Sequence, residues 1–194
     1  MIRIAVVGGI GSGKSYIAKL FGYPVFNADK TVAKIYKKNK ECFTKIKKKF
    51  PEFFSSFPIR KEELIRCILS NNKNLKIITN IVHPLVQKKM HFFLKKNINK
   101  KFVILDIPLF LENKLNRKKD IIIFVESSQK NIVSKLLKRD NFNKKLLQKF
   151  KRIQLPLKIK KKKSNLVIKN NFKSKSVLKN VKNILKQINE RSGS

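Results

Sequence analysis

The chain has 194 residues, of which 42% are hydrophobic, enough for one packed α/β core with an elaboration. No run of about 18 apolar residues occurs, which argues against a membrane-spanning helix, and no basic, apolar leader with a cleavage site opens the chain, so a cytoplasmic protein is expected. The formal charge is +37, and it is carried by 41 Lys against only 7 Arg. Base readout and bidentate phosphate clamping draw heavily on Arg. The lysines are also spread along the whole chain and accompanied by frequent Asn, Ile and Phe. This pattern favours drift toward AT-rich codons over a dedicated nucleic-acid surface, although the field still attracts anionic substrates. Cys42 and Cys67 lack metal or CxxC spacing and read as ordinary buried thiols.

In chain order, Arg3 to Val7 is a short apolar run bounded by glycines and reads as a buried strand. A Gly-rich loop, Gly8 to Gly13, leads into helical spacing at Ile17, Leu20 and Phe21. Val25-Phe26 is a second short strand ending at Asn27-Ala28-Asp29. From Lys30 to about Lys100 the pattern is mainly helical, interrupted at Phe50 to Pro58 by two prolines and four phenylalanines. Phe102 to Ile107 and Ile121 to Val125 are further buried strands, the first stopped by Pro108. A helix follows from about Gln129 to Arg139, then a basic stretch from Asn141 to Lys163. Leu166 to Ile168 is a last short strand. Ser174 is the expected N-cap of a closing amphipathic helix carrying Val177, Val181, Ile184 and Ile188. Strands alternating with helices imply α/β architecture, a parallel sheet covered on both faces, with ligands outside the carboxyl ends of the strands. The loops after Gly8, near Asp29 and near Pro108 are therefore expected to converge.

Gly8-Gly-Ile-Gly-Ser-Gly-Lys-Ser15 satisfies GxxxxGK[ST], with a strand before it and a helix after it. Glycines at that spacing let backbone N–H groups turn inward around phosphate oxygens. Gly8, Gly11, Ser12, Gly13, Lys14, Ser15 and the backbone of Tyr16 are the expected nucleotide contacts. Lys14 reaches the β- and γ-phosphates, and the Ser15 hydroxyl joins a Mg²⁺ shell. Asp29, just past the second strand, is placed to accept or orient the proton of an attacking hydroxyl, or to N-cap the helix from Thr31 to Tyr36. Asp106 ends an apolar strand and needs a partner there, either Mg²⁺ through water or a hydrogen bond from a neighbouring loop. His83, alone before Pro84, has a structural reading beside a functional one. Arg139, Arg152 and nearby lysines lie where a lid would close on a triphosphate.

These residues resemble the dephospho-coenzyme A kinase family. The resemblance is carried by Gly8 to Ser15, Val25-Phe-Asn-Ala-Asp29, Ile81-Val-His-Pro-Leu-Val86, Leu105-Asp-Ile-Pro-Leu-Phe-Leu-Glu112, Lys138-Arg-Asp140, Gln154-Leu-Pro-Leu157, Lys160 and Val167 to Asn170, in order and over most of the chain. It implies a P-loop kinase core (residues 1–29, 101–138 and 164–194), a helical substrate-binding insertion (30–100) and a lid (139–163). It implies transfer of the ATP γ-phosphoryl group to the ribose 3′-hydroxyl of dephospho-coenzyme A with Mg²⁺. Asp29 becomes the implied base, Lys14 and Arg139 the phosphate-stabilising cations, and His83 and Pro108 substrate-site residues, with Asn170 and Asn171 near adenine. Asn27 stands where the family has a first Asp, Tyr16 where Thr is usual, Lys61 where Arg is usual, and Ser164-Asn165 where Ala-Asp is usual. The competing readings are another small-molecule P-loop kinase and an RNA-binding NTPase. The expected partners are small molecules, with no specific nucleic acid, no membrane and a monomeric state.

Overall fold

The computed structural model describes residues 1–138 and 142–192. They divide into two compact units, one of residues 1–27, 97–142 and 153–192, the other of residues 28–96 and 143–152. The segment expected to act as a lid is thus split, its 143–152 stretch belonging with the second unit and 153–163 with the first.

The first unit is built on a parallel five-stranded sheet. Its strands are β1 (Ile2–Gly8), β2 (Val25–Asn27), β3 (Phe102–Asp106), β4 (Ile121–Glu126) and β5 (Leu166–Lys169), in the spatial order β2-β3-β1-β4-β5. Such Ile- and Val-rich strands bury both faces, the usual condition of a parallel sheet. On one face Ile4, Val6, Ile104, Ile123, Val125 and Ile168 pack with Ile17 and Phe21 of α1 (Lys14–Leu20) and with Val177, Val181 and Ile188 of α9 (Ser174–Ser192). Ala5, Val7, Val103 and Leu105, pointing the other way, are also buried. The unit also contains α6 (Gln129–Leu137), capped by the Ser128 hydroxyl accepting from Asn131 N–H, and α8 (Leu157–Lys162), which packs near β1. In this order β3 lies between β1 and β2, so Asp106 ends the strand beside the P-loop strand, whereas the strand leading to Asp29 is at the sheet edge.

At the amino ends of the strands, Arg3 and Asp120 form a buried ion pair. Arg3 Nε donates to Asp120 Oδ1 at 2.8 Å, a second guanidinium N–H donates to the Leu115 carbonyl at 2.8 Å, and the Arg117 N–H donates to Asp120 Oδ2 at 2.8 Å. Every strong acceptor on that carboxylate is met, the condition under which a buried pair is tolerated.

The second unit is helical: α2 (Ala28–Lys38), α3 (Lys40–Lys49), α4 (Lys61–Ser70), α5 (Asn74–Lys96) and α7 (Lys144–Arg152). Its core gathers Ile35, Cys42, Ile46, Phe54, Leu64, Cys67, Ile78 and Val82, so the Phe-rich interruption supplies a core plug rather than a loop alone. Asn39 caps α3 by accepting from Cys42 N–H at 2.7 Å. Lys149 of α7 donates to the Ile68 carbonyl at 2.7 Å, meeting an orphan acceptor at the end of α4. The Ser174 cap is corrected: Ser174 is the first helical residue of α9, and the upstream turn is held by Asn171 Oδ1 accepting from Lys173 N–H at 3.0 Å.

Candidate functional site

The loop after β1 is the best-defined chemical feature of the first unit. Gly8 is still paired with Val125 of β4, so the sheet sets where the loop begins. Ser12 N–H then donates to the Gly9 carbonyl at 3.2 Å, and Ile17 and Tyr16 N–H both donate to the Gly13 carbonyl at 3.1 Å, which starts α1. The Tyr16 N–H is therefore engaged in the first helical turn, and its ring is exposed. Lys14 is only 8% exposed, and its Nζ donates to the Gly9 carbonyl at 2.6 Å across the loop. Charged phosphate oxygens make stronger bonds to an ammonium than a neutral carbonyl does, so this contact is one that phosphate can displace. Ser15 is exposed at the start of α1.

The loop is held from outside by side chains at the ends of β4 and β5. The Ser12 carbonyl accepts from Asn170 Nδ2 at 2.8 Å and from the Ser127 hydroxyl at 2.9 Å. Asn170 is buried, its Oδ1 accepts from Phe172 N–H at 2.9 Å, and its own N–H donates to the Glu126 carbonyl at 2.8 Å. Gly13 has φ +88°, and a Cβ there would lie 2.3 Å from Asn170 Nδ2, so only glycine fits on both counts. Leu157 of α8 lies over Gly9, and Ile132 and Leu136 of α6 pack against Gly11.

Asp106 ends β3 at 2% exposure. Its Oδ2 accepts from Asn27 Nδ2, the residue aligned with it on β2. The departure at position 27 therefore supplies the neighbouring hydrogen bond that the sequence left open as one of two partners. Just beyond, Lys160 forms a buried ion pair with Glu112 at 2.7 Å. Glu112 Oε1 also accepts from Leu155 N–H at 2.9 Å, and the Pro108 carbonyl lies 3.5 Å from Lys160 Nζ. Lys160 is thus no member of a solvated basic face: it is fully buried and ties the loop after β3 to α8. Asn171 is exposed, with its amide donating to the Ser176 hydroxyl at 3.2 Å and its Oδ1 in the turn before α9.

In the second unit, Asp29 is the second residue of α2, exposed and within the first turn. It is therefore inside the helix and not its N-cap; a carboxylate there suits the positive end of the helix dipole. His83 and Pro84 lie mid-way along α5, where Pro84 removes the N–H that would bond the Asn80 carbonyl. His83 is half-buried, and burial lowers its pKa from 6.5, favouring the neutral imidazole. Burial also pushes the Cys42 and Cys67 thiols up to about 11, which makes both poor nucleophiles. Arg139 lies outside the described residues; Arg152, at the end of α7, is exposed.

Sequence reasoning missed Ser127, the bracing use of Asn170 and the Glu112–Lys160 pair. The only local signal was an acidic residue closing an apolar segment at Glu112, with Lys160 in helical register. The Ser127 and Asn170 bonds to Ser12 join residues 115 and 158 positions apart.

Among the described residues no three His, Cys, Asp or Glu gather into a metal cage. Mg²⁺ does not require one, since it keeps waters and phosphate oxygens with one or two protein ligands. The Ser15 hydroxyl and Asp106 carboxylate are hard oxygen donors of the kind it takes. No helix among the described residues is long and apolar enough to cross a membrane.

The chain matches the family model of CoaE, dephospho-CoA kinase, over residues 2–176. It is 35% identical over 187 residues to the dephospho-CoA kinase of Wolbachia sp. subsp. Brugia malayi (strain TRS), covering 94% of this chain and 95% of that protein. The crystal structure of TT1252 from Thermus thermophilus matches it with a TM-score of 0.77 at 27% identity, over 98% of this chain and 97% of that one. A dephospho-CoA kinase from Campylobacter jejuni shares the fold with a TM-score of 0.62 at 21% identity, over 96% of each chain. A P-loop set between β1 and α1 of a parallel five-stranded sheet and a family match spanning nearly the whole sequence lead to one statement: the chain belongs to the dephospho-CoA kinase family.

Proposed function

We propose that this protein transfers the γ-phosphoryl group of ATP to the ribose 3′-hydroxyl of dephospho-coenzyme A, giving coenzyme A and ADP. The observation that carries the reading is the Gly8–Ser15 loop, seated between β1 and α1 with Lys14 folded across it, in a chain of this family. The loop N–H groups and Lys14 hold the β- and γ-phosphates. Asp29 takes the proton of the 3′-hydroxyl as that oxygen bonds to the γ-phosphorus and the bond to the β,γ-bridging oxygen breaks. The displaced pair of electrons stays on ADP. Ser15, and Asp106 through water, hold Mg²⁺, which when bound neutralises charge on the phosphate oxygens. Arg139 and the rest of the 139–163 segment act as the lid, and His83 and Pro108 contribute to the substrate site, with Asn171 beside the nucleotide. The protein works as a monomer in the cytoplasm.

The test is ADP formation with dephospho-coenzyme A, a panel of nucleosides, shikimate and RNA as separate acceptors or activators. Turnover specific to dephospho-coenzyme A supports the reading, and turnover confined to another acceptor rejects it. Asp29→Asn is expected to lower kcat by about 10²–10⁴, the scale for loss of a general base, with ATP binding little changed. Full turnover in that variant removes Asp29 from the chemistry.

A further inference from the structure

We infer that Asn170 and Ser127 are positioning residues for nucleotide binding, acting as paired braces that fix the Ser12–Gly13 peptide of the phosphate loop. The inference rests on the P-loop reading above and adds two residues to it that touch no phosphate themselves.

The argument starts from the peptide plane. Phe57-Pro58 is the cis bond of the described chain, so Ser12–Gly13 is trans, and in a trans peptide the C=O and N–H point in opposite directions. The Ser12 carbonyl is turned toward Asn170 Nδ2 and the Ser127 hydroxyl, at 2.8 and 2.9 Å. The Gly13 N–H is thereby turned the other way, to the side of the loop that must meet an anion. Neither donor is adventitious. Asn170 follows β5 and Ser127 follows β4, the two strands that succeed β1 in the sheet order. Parallel register brings their carboxyl ends level with the end of β1, as Gly8 pairs with Val125 and Glu126 with Lys169.

The Asn170 amide is committed on both sides. Its Nδ2 serves Ser12, and its Oδ1 accepts from Phe172 N–H, which fixes which way the amide faces. An amide so engaged within the protein is a scaffold more than a nucleotide-reading group, which separates Asn170 from the exposed Asn171. Gly13 records the same constraint from the other side, since any Cβ there would collide with Asn170. A glycine loop is flexible by itself; two donors on one carbonyl set its orientation before phosphate arrives, so less ordering has to accompany binding.

The test is ATP binding by titration calorimetry, with initial-rate kinetics against ATP and dephospho-coenzyme A, on Ser127→Thr, Ser127→Val, Asn170→Ala and the Ser127→Val/Asn170→Ala double variant. Thr and Val have nearly the same shape, but only Thr can donate. Ser127→Thr is expected to bind ATP as the wild type does, and Ser127→Val about 2- to 10-fold more weakly, the range for one lost hydrogen bond. Asn170→Ala should lose about 10-fold or more. Because either donor alone can still orient the carbonyl, the double variant should lose more than the product of the single losses. In Ser127→Val, Asn170→Ala and the double variant, KM for dephospho-coenzyme A should stay near the wild-type value while KM for ATP rises. Equal behaviour of Thr and Val, losses that simply multiply, or parallel rises in both KM values overturn the brace. If Asn170→Ala does not fold, the Thr and Val pair decides alone. A wild-type chain that binds no ATP rejects instead the P-loop reading on which the brace depends.

Discussion

The two ends of the sheet differ in the bonds their charged groups make. At the amino ends, charge meets charge: Arg3 and Asp120 are both buried, doubly bonded to each other or to nearby backbone. At the carboxyl ends, two charged groups beside the loop each bond a neutral group, Lys14 the Gly9 carbonyl and Asp106 the Asn27 amide. Neutral amides and hydroxyls also hold the loop backbone there. A saturated ion pair has little to gain from a ligand. A bond from a charge to a neutral group is one that a ligand of opposite charge can displace. One end is therefore built to persist and the other to exchange partners. The Glu112–Lys160 pair fits the contrast, because it stands behind the exchanging end and fastens the loop after β3 to α8.

Substitutions at the two ends should separate activity from stability. The largest effect is expected at the exchanging end. Lys14→Ala should lower kcat with dephospho-coenzyme A by at least about 10²–10³, the scale for removing one charge-stabilising donor from a transition state. Its thermal midpoint should stay near that of the wild type. Normal turnover in this variant breaks the comparison outright. Asp120→Ala should do the converse. It leaves Arg3 buried without its carboxylate, costing about 3–5 kcal/mol by chemical denaturation, while kcat per folded molecule is retained. A stable Asp120→Ala variant with impaired turnover would reverse the roles of the two ends.

The smallest effect sharpens the contrast from outside the sheet. Burial lowers the pKa of His83 in the folded protein, so the unfolded chain takes up a proton there first as the pH falls. Stability contributed at this position is complete above about 6.5 and declines as the pH drops below that value. His83→Gln should flatten that part of the pH–stability curve while leaving the Lys14→Ala and Asp120→Ala differences in place. An unchanged curve shows that the imidazole is not desolvated.

What could be read from the sequence follows from how local its cause is. The β1 strand, glycine loop and α1 are legible because an apolar run and glycine spacing are contiguous, and the stretch from Lys30 to about Lys100 reads as mainly helical by periodicity, without its division into α2 to α5. Asp106 was legible as a buried carboxylate needing a partner, yet its partner was left open because strand order is not written in any one segment. The Asn170 and Ser127 braces depend on the register of strands that meet only after folding. Lys160 sits in a run of four lysines whose composition says surface; only the position of Glu112 turns it inward. The boundaries at Asp29 and Ser174 shifted because the helices begin one or more residues earlier than cap chemistry alone suggests.

The inward turn of Lys160 also changes how the protein's basicity can evolve. Among the described residues, Lys14 and Lys160 are the buried lysines, and each is held by named bonds, one at the phosphate loop and one to a carboxylate. The remaining lysines are exposed or half-buried, and most sit where solvent accommodates a change of residue. Mutational pressure on codon composition can therefore load or unload the surface with lysine at little structural cost, while a change at either of these two positions breaks a buried bond. Lineages that differ widely in isoelectric point are expected to share these two amines.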